Sequence, residues 1–512
     1  MILTWLILIP FIGGLLSWQT ERIGSRAPRW IALLSMLGLF GLALKLWLQH
    51  DYSLTGVGSG QSKWVEEFQV DWIPHFGISF HLGLDGLSML MILLSAFLGV
   101  MAVICSWTEV TKKVGFFHLN LLWILGAVVG VFLALDLFLF FFFWEMMLIP
   151  MYFLVALWGH SAPGGLGRVQ AATKFFIYTQ SSGLLMLLAI VGLVIVNYSA
   201  SGVISFDYAV LLETKLAPGM EWVLMLGFFI AFAVKFPIVP FHGWLPDTHT
   251  QAPTAGSVDL AGILLKTAAY GMMRFAIPLF PNASVELAPI AMWLGVVGII
   301  YGALVAYAQT DIKRLIAYTS ISHMGFVLIG IYSFNAIALQ GVVVQMIAHG
   351  ISAAGLFIMS GQLYERLHTR EMSQMGGFYA RMRVLPPVAM FFAAASLGLP
   401  GLGNFVGEFL ILLGTFKVSL PITLFATSGL VLGAAYSLIM VQRTLHGAPQ
   451  DATPIRDLGW RELGMMLTLM AILVWLGLYP QPILDTSAAV MAGVQQAVAQ
   501  AAHLSAGLPI AH

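Results

Sequence analysis

Along most of this chain the apolar residues neither alternate nor return at an amphipathic spacing. They run on for about twenty positions at a time, the length that crosses the hydrocarbon core of a bilayer, and short polar clusters separate each run from the next. Hydropathy divides the chain into about fourteen such spans, at 2–20, 30–50, 80–107, 115–134, 137–159, 171–197, 221–242, 254–278, 287–308, 315–332, 338–363, 385–417, 421–442 and 463–479. Each is predicted to be a helix, because in lipid every backbone polar group must be satisfied within its own segment. The run Met1–Trp18 lacks a basic leader, and its charges (Glu21, Arg22, Arg26, Arg29) come after it, so it reads as a retained first span. The stretch 480–512 is rich in Ala and Gln. Its Val490, Val494 and Val498 recur at every fourth position and predict a helix lying on a surface.

Charge in the loops sets the direction of the spans. One alternate set of loops carries Arg22, Arg26, Arg29, Lys112, Lys113, Arg168, Lys174, Lys313, Arg314, Arg366, Arg370, Arg381, Arg383, Arg443, Arg456 and Arg461. The other set holds only Lys63, Lys215 and Lys417, beside acids such as Asp51, Glu66, Glu67, Asp71 and Asp207. Basic loops stay in the cytoplasm. Both termini are therefore expected on the periplasmic side, with an even number of crossings.

Two spans are interrupted by proline. The seventh reads AFAVKFPIVPFHGWLPD, with Pro237 and Pro240 just after Lys235, and the twelfth reads LGLPGLGNFVGEF, with Pro400 shortly before Glu408. Proline removes a donor and clashes with the preceding turn, and unwound backbone at membrane depth survives only where protein or water satisfies it. The two breaks fall an odd number of spans apart, so their helices run in opposite directions. That pattern predicts two inverted five-helix repeats: 113–280 (spans 4–8) and 281–445 (spans 9–13), preceded by 1–112 and followed by 446–512 with the last span and a surface segment.

Composition sharpens this all-α, polytopic membrane reading. Of 512 residues 59% are hydrophobic and 9% charged, against roughly a quarter charged in a soluble protein. Net charge is zero and no basic patch stands out, which argues against nucleic acid as a partner. A single cysteine, Cys105, excludes an internal disulfide and a four-cysteine zinc or iron–sulfur site. Neither a GxGxxG turn after a strand nor a Walker loop is present. Redox or ATP chemistry must then belong to another chain, and no bound cofactor or metal is expected here.

Six ionisable residues inside spans stand out: Glu145 in the fifth, Lys235 in the seventh, Lys266 in the eighth, His323 in the tenth, His349 in the eleventh and Glu408 in the twelfth. A charge near the bilayer centre costs about 2.5–3.5 kcal/mol on insertion scales, so such residues face the protein interior and mark proton or ion paths. A lysine out of water holds its proton weakly, and an approaching carboxylate restores the hold. Glu145 and Lys235 are expected to form such a switch, with Lys266 as central relay, Glu408 as the second-repeat carrier and the histidines as water-connected relays. Asp259 and Arg274, near the ends of the eighth span, read as local packing or snorkelling charges. His242, Asp247 and His249 are close in sequence but match no metal-ligand spacing. Asp247 is expected to cap the following segment or lie near a cytoplasmic inlet.

Long motifs carry a family resemblance. LPDTHTQAPTAGSVDLAGILLKTAAYGMMRF (Leu245–Phe275), DIKRLIAYTSISHMG (Asp311–Gly325), FFFWEMMLIPMYF, LGLPGLGNFVGEF and the ending LGLYPQPILDTS resemble the antiporter-like subunits of respiratory complex I. The resemblance implies fourteen helices, two inverted repeats and a proton path through buried water in a membrane arm. It also implies a bacterial inner-membrane location, lipids and two sister antiporter-like subunits as partners, and FMN, iron–sulfur clusters and quinone held by other subunits. Glu145, Lys235, Lys266 and Glu408 match positions the family uses for proton transfer, and His323 and His349 match polar positions of its central axis. At Glu408 the sister subunits usually carry lysine. An autonomous or multisubunit cation/proton antiporter, a membrane hydrogenase subunit and a scaffold without transport are the rival readings.

Overall fold

The computed structural model describes residues 1–52, 64–160, 166–447 and 455–506; Lys63 lies outside them. Its helices are α1 (Ile2–Thr20), α2 (Arg26–Gln49), α3 (Gly86–Glu109), α4 (Val114–Leu133), α5 (Leu137–Trp158), α6 (Arg168–Ser201), α7 (Pro218–Lys235) and α8 (Trp244–Gln251). There follow α9 (Thr254–Leu279), α10 (Pro281–Tyr307), α11 (Ile312–Tyr332), α12 (Ala336–Leu367), α13 (Leu385–Ser396), α14 (Gly403–Phe416), α15 (Leu420–Thr444), α16 (Trp460–Leu478) and α17 (Gln481–Ala506). Among the described residues thirteen helical segments are long and apolar enough to cross a membrane, and the shorter pair α13–α14 makes up the broken twelfth span.

Side chains at the helix starts explain where many spans begin. Asp85, Asp136, Asp311 and Asn335 each accept hydrogen bonds from first-turn amides of α3, α5, α11 and α12, satisfying donors that have no partner inside the helix. In α9, α11 and α12 every residue of the most apolar window is buried, whereas α2 and α16 leave most of theirs uncovered. The first three therefore form the axis, and the outer helices present apolar surface outward. Small residues let helices of the bundle approach closely: a Cβ on Gly325 of α11 would meet the Gly295 carbonyl of α10 at 2.6 Å.

Both proline breaks are real. Pro237 offers no amide to Ala233, so Ile238 N donates to the Ala233 carbonyl instead at 2.9 Å. That leaves the Val234 carbonyl free, and the Trp244 indole N–H of α8 donates to it at 2.8 Å. One side chain thus ties the two half-helices together. In the other break, Gly398 adopts φ +78, a conformation that only glycine takes without strain, and Leu399 N reaches back to Ala394 O at 3.1 Å.

Two features differ from the hydropathy reading. The expected third span begins only at Gly86, because its first residues form β2 (Ile78–Leu84), paired antiparallel with β1 (Glu66–Ile73). β2 is almost continuously buried, so its composition resembles that of a span. The hairpin is pinned by His81, whose Nδ1 lies 2.5 Å from Asp207 and whose Nε2 lies 2.7 Å from Glu67. Burial disfavours the charged ring, but the two carboxylates outweigh it and raise the His81 pKa above its ordinary value. Against its own burial, the bond to His81 holds Asp207 below the usual carboxylate range. The C-terminal helix α17 packs on α3, α10 and α12, with Val490, Val494 and Val498 buried, so the fourfold spacing marks its contact stripe.

Candidate functional site

Four of the six sequence-selected residues meet on the axis. Lys266 sits in α9 between two π-helical stretches, Leu260–Leu264 and Met272–Ala276, a widening often found at functional sites. Its Nζ donates to the Ala261 carbonyl at 2.5 Å and lies 2.8 Å from His349 Nδ1 of α12. No carboxylate of the described residues lies within ion-pair distance of it. A buried ammonium held only by neutral acceptors is a poorly compensated charge.

The His349 ring stands 5.4 Å, centroid to centroid, from that of His323 on α11. His323 Nδ1 lies 2.7 Å from Oε1 of Glu408, and its Nε2 faces Tyr436 Oη at 3.2 Å and Ser396 Oγ at 3.4 Å. Gln345 Nε2 donates to the same Glu408 oxygen at 3.1 Å. The second break explains this clustering: it puts Ser396 at the end of α13 and Glu408 on α14 around one imidazole. All four principal residues are buried.

Glu145 and Lys235 form a separate locus on α5 and α7. Lys235 Nζ lies over the Trp144 ring, 3.8 Å from its centroid, at the C-terminal end of α7, where the helix dipole favours a cation. It feels the Glu145 charge, yet the two make no ion pair within 4 Å, and Gln180 of α6 is the polar side chain beside the Glu145 carboxylate. The two residues expected to pair are therefore close enough to interact but not joined. Glu145 occupies space left by Gly183 of α6, where a Cβ would meet Oε1 at 1.9 Å.

Several residues escaped the sequence reading. Lys313, counted among the loop charges, is buried with Nζ 2.5 Å from the Ala252 carbonyl. His249 is buried against Phe357, with ring centroids 4.5 Å apart, within electrostatic reach of both Lys313 and Lys266. Asp259 is buried with both carboxylate oxygens unpartnered among the described residues. Arg274 does not snorkel; it forms a buried ion pair with Asp85 and donates to Tyr270 at 3.2 Å. Among the described residues Asp247 caps no helix. It bridges Lys174 of α6 at 2.6 Å and Arg314 of α11 at 3.0 Å, while His242 faces Tyr301. His242 and Asp247 share Lys174 as a neighbour, whereas His249 packs on Phe357.

The bundle, with two broken helices and ionisable residues on a buried axis, marks the chain as a polytopic membrane protein. The chain belongs to the NADH:quinone oxidoreductase/Mrp antiporter transmembrane family, whose profile matches residues 134–433. It is 65% identical over 508 residues to NADH-quinone oxidoreductase subunit M of Pseudomonas aeruginosa, covering 99% of this chain and 100% of that one. It is 64% identical over 499 residues to subunit M of Escherichia coli K12, covering 97% and 98%. Among solved structures it is similar to a chain of respiratory complex I from Thermus thermophilus with bound NADH, with a TM-score of 0.86, 30% identity and coverage of 97% and 100%.

Proposed function

We propose that this chain is the proton-translocating membrane-arm subunit M of an NADH–quinone oxidoreductase. It is a multi-pass membrane protein of a multisubunit respiratory complex, and the redox chemistry that drives it takes place in other subunits. The observation that carries this reading is the line from Lys266 through His349 and His323 to Glu408 on α14, with the first three residues on helices whose most apolar windows are wholly buried. Protons reach Lys266 from the arginine-rich, cytoplasmic side and leave past Glu408 to the periplasm. Lys313 and His249 supply the inlet. Helices α4–α9 and α10–α15 act as two inverted units, each with one break beside its carrier. Both termini lie in the periplasm, and FMN, iron–sulfur clusters and quinone belong to other subunits.

A charge change in a neighbouring sister subunit draws Glu145 toward Lys235 or away from it, setting how firmly the lysine keeps its proton. The test is Glu145→Gln and Lys235→Ala in the assembled complex. Impaired pumping and turnover with normal assembly are expected, and full proton translocation in either variant removes that residue from the mechanism. Purified chain that exchanges sodium for protons in liposomes without redox partners would favour an autonomous antiporter instead.

A further inference from the structure

On the arginine-rich side, where α3 and α12 end and α16 begins, lies a cavity of about 820 Å³, within the range of small-ligand sites. Four guanidinium groups line it, from Arg366, Arg381, Arg456 and Arg461, with two carboxylates, Glu365 and Glu462. Glu462 is already paired, accepting from Arg366 at 2.7 Å and from Gly459 N at 2.8 Å. The cavity therefore keeps a positive excess. Arg456 makes no side-chain hydrogen bond or ion pair to a described residue, and its guanidinium lies 3.8 Å from where a Gly459 Cβ would stand, beside the first turn of α16. Arg461 donates to Thr108 at 2.9 Å. Trp460, 90% exposed, stands at the rim, the disposition that aromatic residues take at headgroup level.

We infer that this cavity binds the phosphodiester headgroup of an anionic phospholipid between Arg456 and Arg461. Three features select a lipid: the site lies at the level of the helix ends, its rim carries an exposed indole, and guanidinium forks match phosphate geometry. Basic pockets between membrane helices on the cytoplasmic side are suited to such headgroups. None of the residues that move protons takes part.

The test is native mass spectrometry of the full chain released from nanodiscs of phosphatidylcholine containing graded phosphatidylglycerol. Retention of phosphatidylglycerol in preference to phosphatidylcholine is expected, with about fivefold weaker retention in Arg456→Gln and again in Arg461→Gln. Arg456→Lys, which keeps the charge but loses the fork, is expected to fall between wild type and Arg456→Gln. Unaltered retention in both glutamine variants overturns the proposal. Displacement of the lipid by millimolar inorganic phosphate also overturns it, in favour of a soluble-anion site. So does release of the lipid whenever a neighbouring subunit docks, which would mark the cavity as a protein interface.

Discussion

Lys266 Nζ and His349 Nδ1 lie 2.8 Å apart, so while the ammonium keeps its protons His349 presents a lone pair at Nδ1 and carries its hydrogen on Nε2. That second nitrogen has no partner among the described residues, and the His323 ring centroid lies 5.4 Å from that of His349. A proton arriving at one nitrogen can leave from the other, which is what a relay between Lys266 and His323 requires.

Gly183 offers a way to disturb the Glu145 switch without touching a charge. The added methyl of Gly183→Ala would meet Oε1 at 1.9 Å, so the carboxylate must swing away. Proton pumping is expected to fall several-fold, by roughly 1 kcal/mol or more of coupling, with assembly unchanged. In combination with Glu145→Gln, Gly183→Ala is expected to add nothing further, because both act on the same group. Fluorescence quenching in inverted vesicles measures each rate.

The Asp85–Arg274 pair makes a stability prediction. Its side chains are 3% and 9% exposed, and removing one partner leaves a buried charge uncompensated, at about 3–5 kcal/mol. Arg274→Met and Asp85→Leu are each expected to lower the unfolding midpoint strongly. The double substitution is expected to cost less than the two separate losses added together. Denaturant titration of the purified chain checks this, and simple additivity would show that the pair is not coupled.

The hairpin clasp is expected to depend on pH. The folded-state pKa of His81 is raised above 6.5. Its contribution is therefore complete below that value and is lost as pH climbs through the raised one. Asp207 is lowered from 3.8, so its contribution holds above 3.8 and fails as pH falls through the lower value. Hydrogen exchange of the β1 and β2 amides is expected to quicken on the alkaline side, corrected for intrinsic rates, and His81→Gln is expected to remove the step.

Much of the bundle is legible in the sequence because crossing lipid demands long apolar runs, and those runs locate the helices to within a few residues. The breaks are legible for a similar reason: Pro237 and Pro400 cannot donate. Burial on the axis follows from the cost of charge in hydrocarbon for Lys266 and Glu408. What escapes depends on orientation. Lys313 stands next to Arg314 in DIKR and reads like a loop charge, but the Asp311 cap fixes the first turn so that Lys313 points inward. His249 follows a break whose re-entry angle no local pattern encodes. β2 reads like the start of a span because a strand with both faces buried has the composition of a membrane helix.

The most direct measurement is the rate of NADH-driven proton translocation, read beside the rate of NADH oxidation, in vesicles whose assembled complex carries Lys266→Met, a substitution that keeps much of the side-chain volume and removes the proton site. NADH oxidation and proton translocation are expected to fall together, at least about tenfold, somewhat under the usual contribution of positioned proton-transfer groups, with the complex intact. Wild-type translocation in that variant would mean that protons cross without the central lysine, contradicting a path through the buried axis.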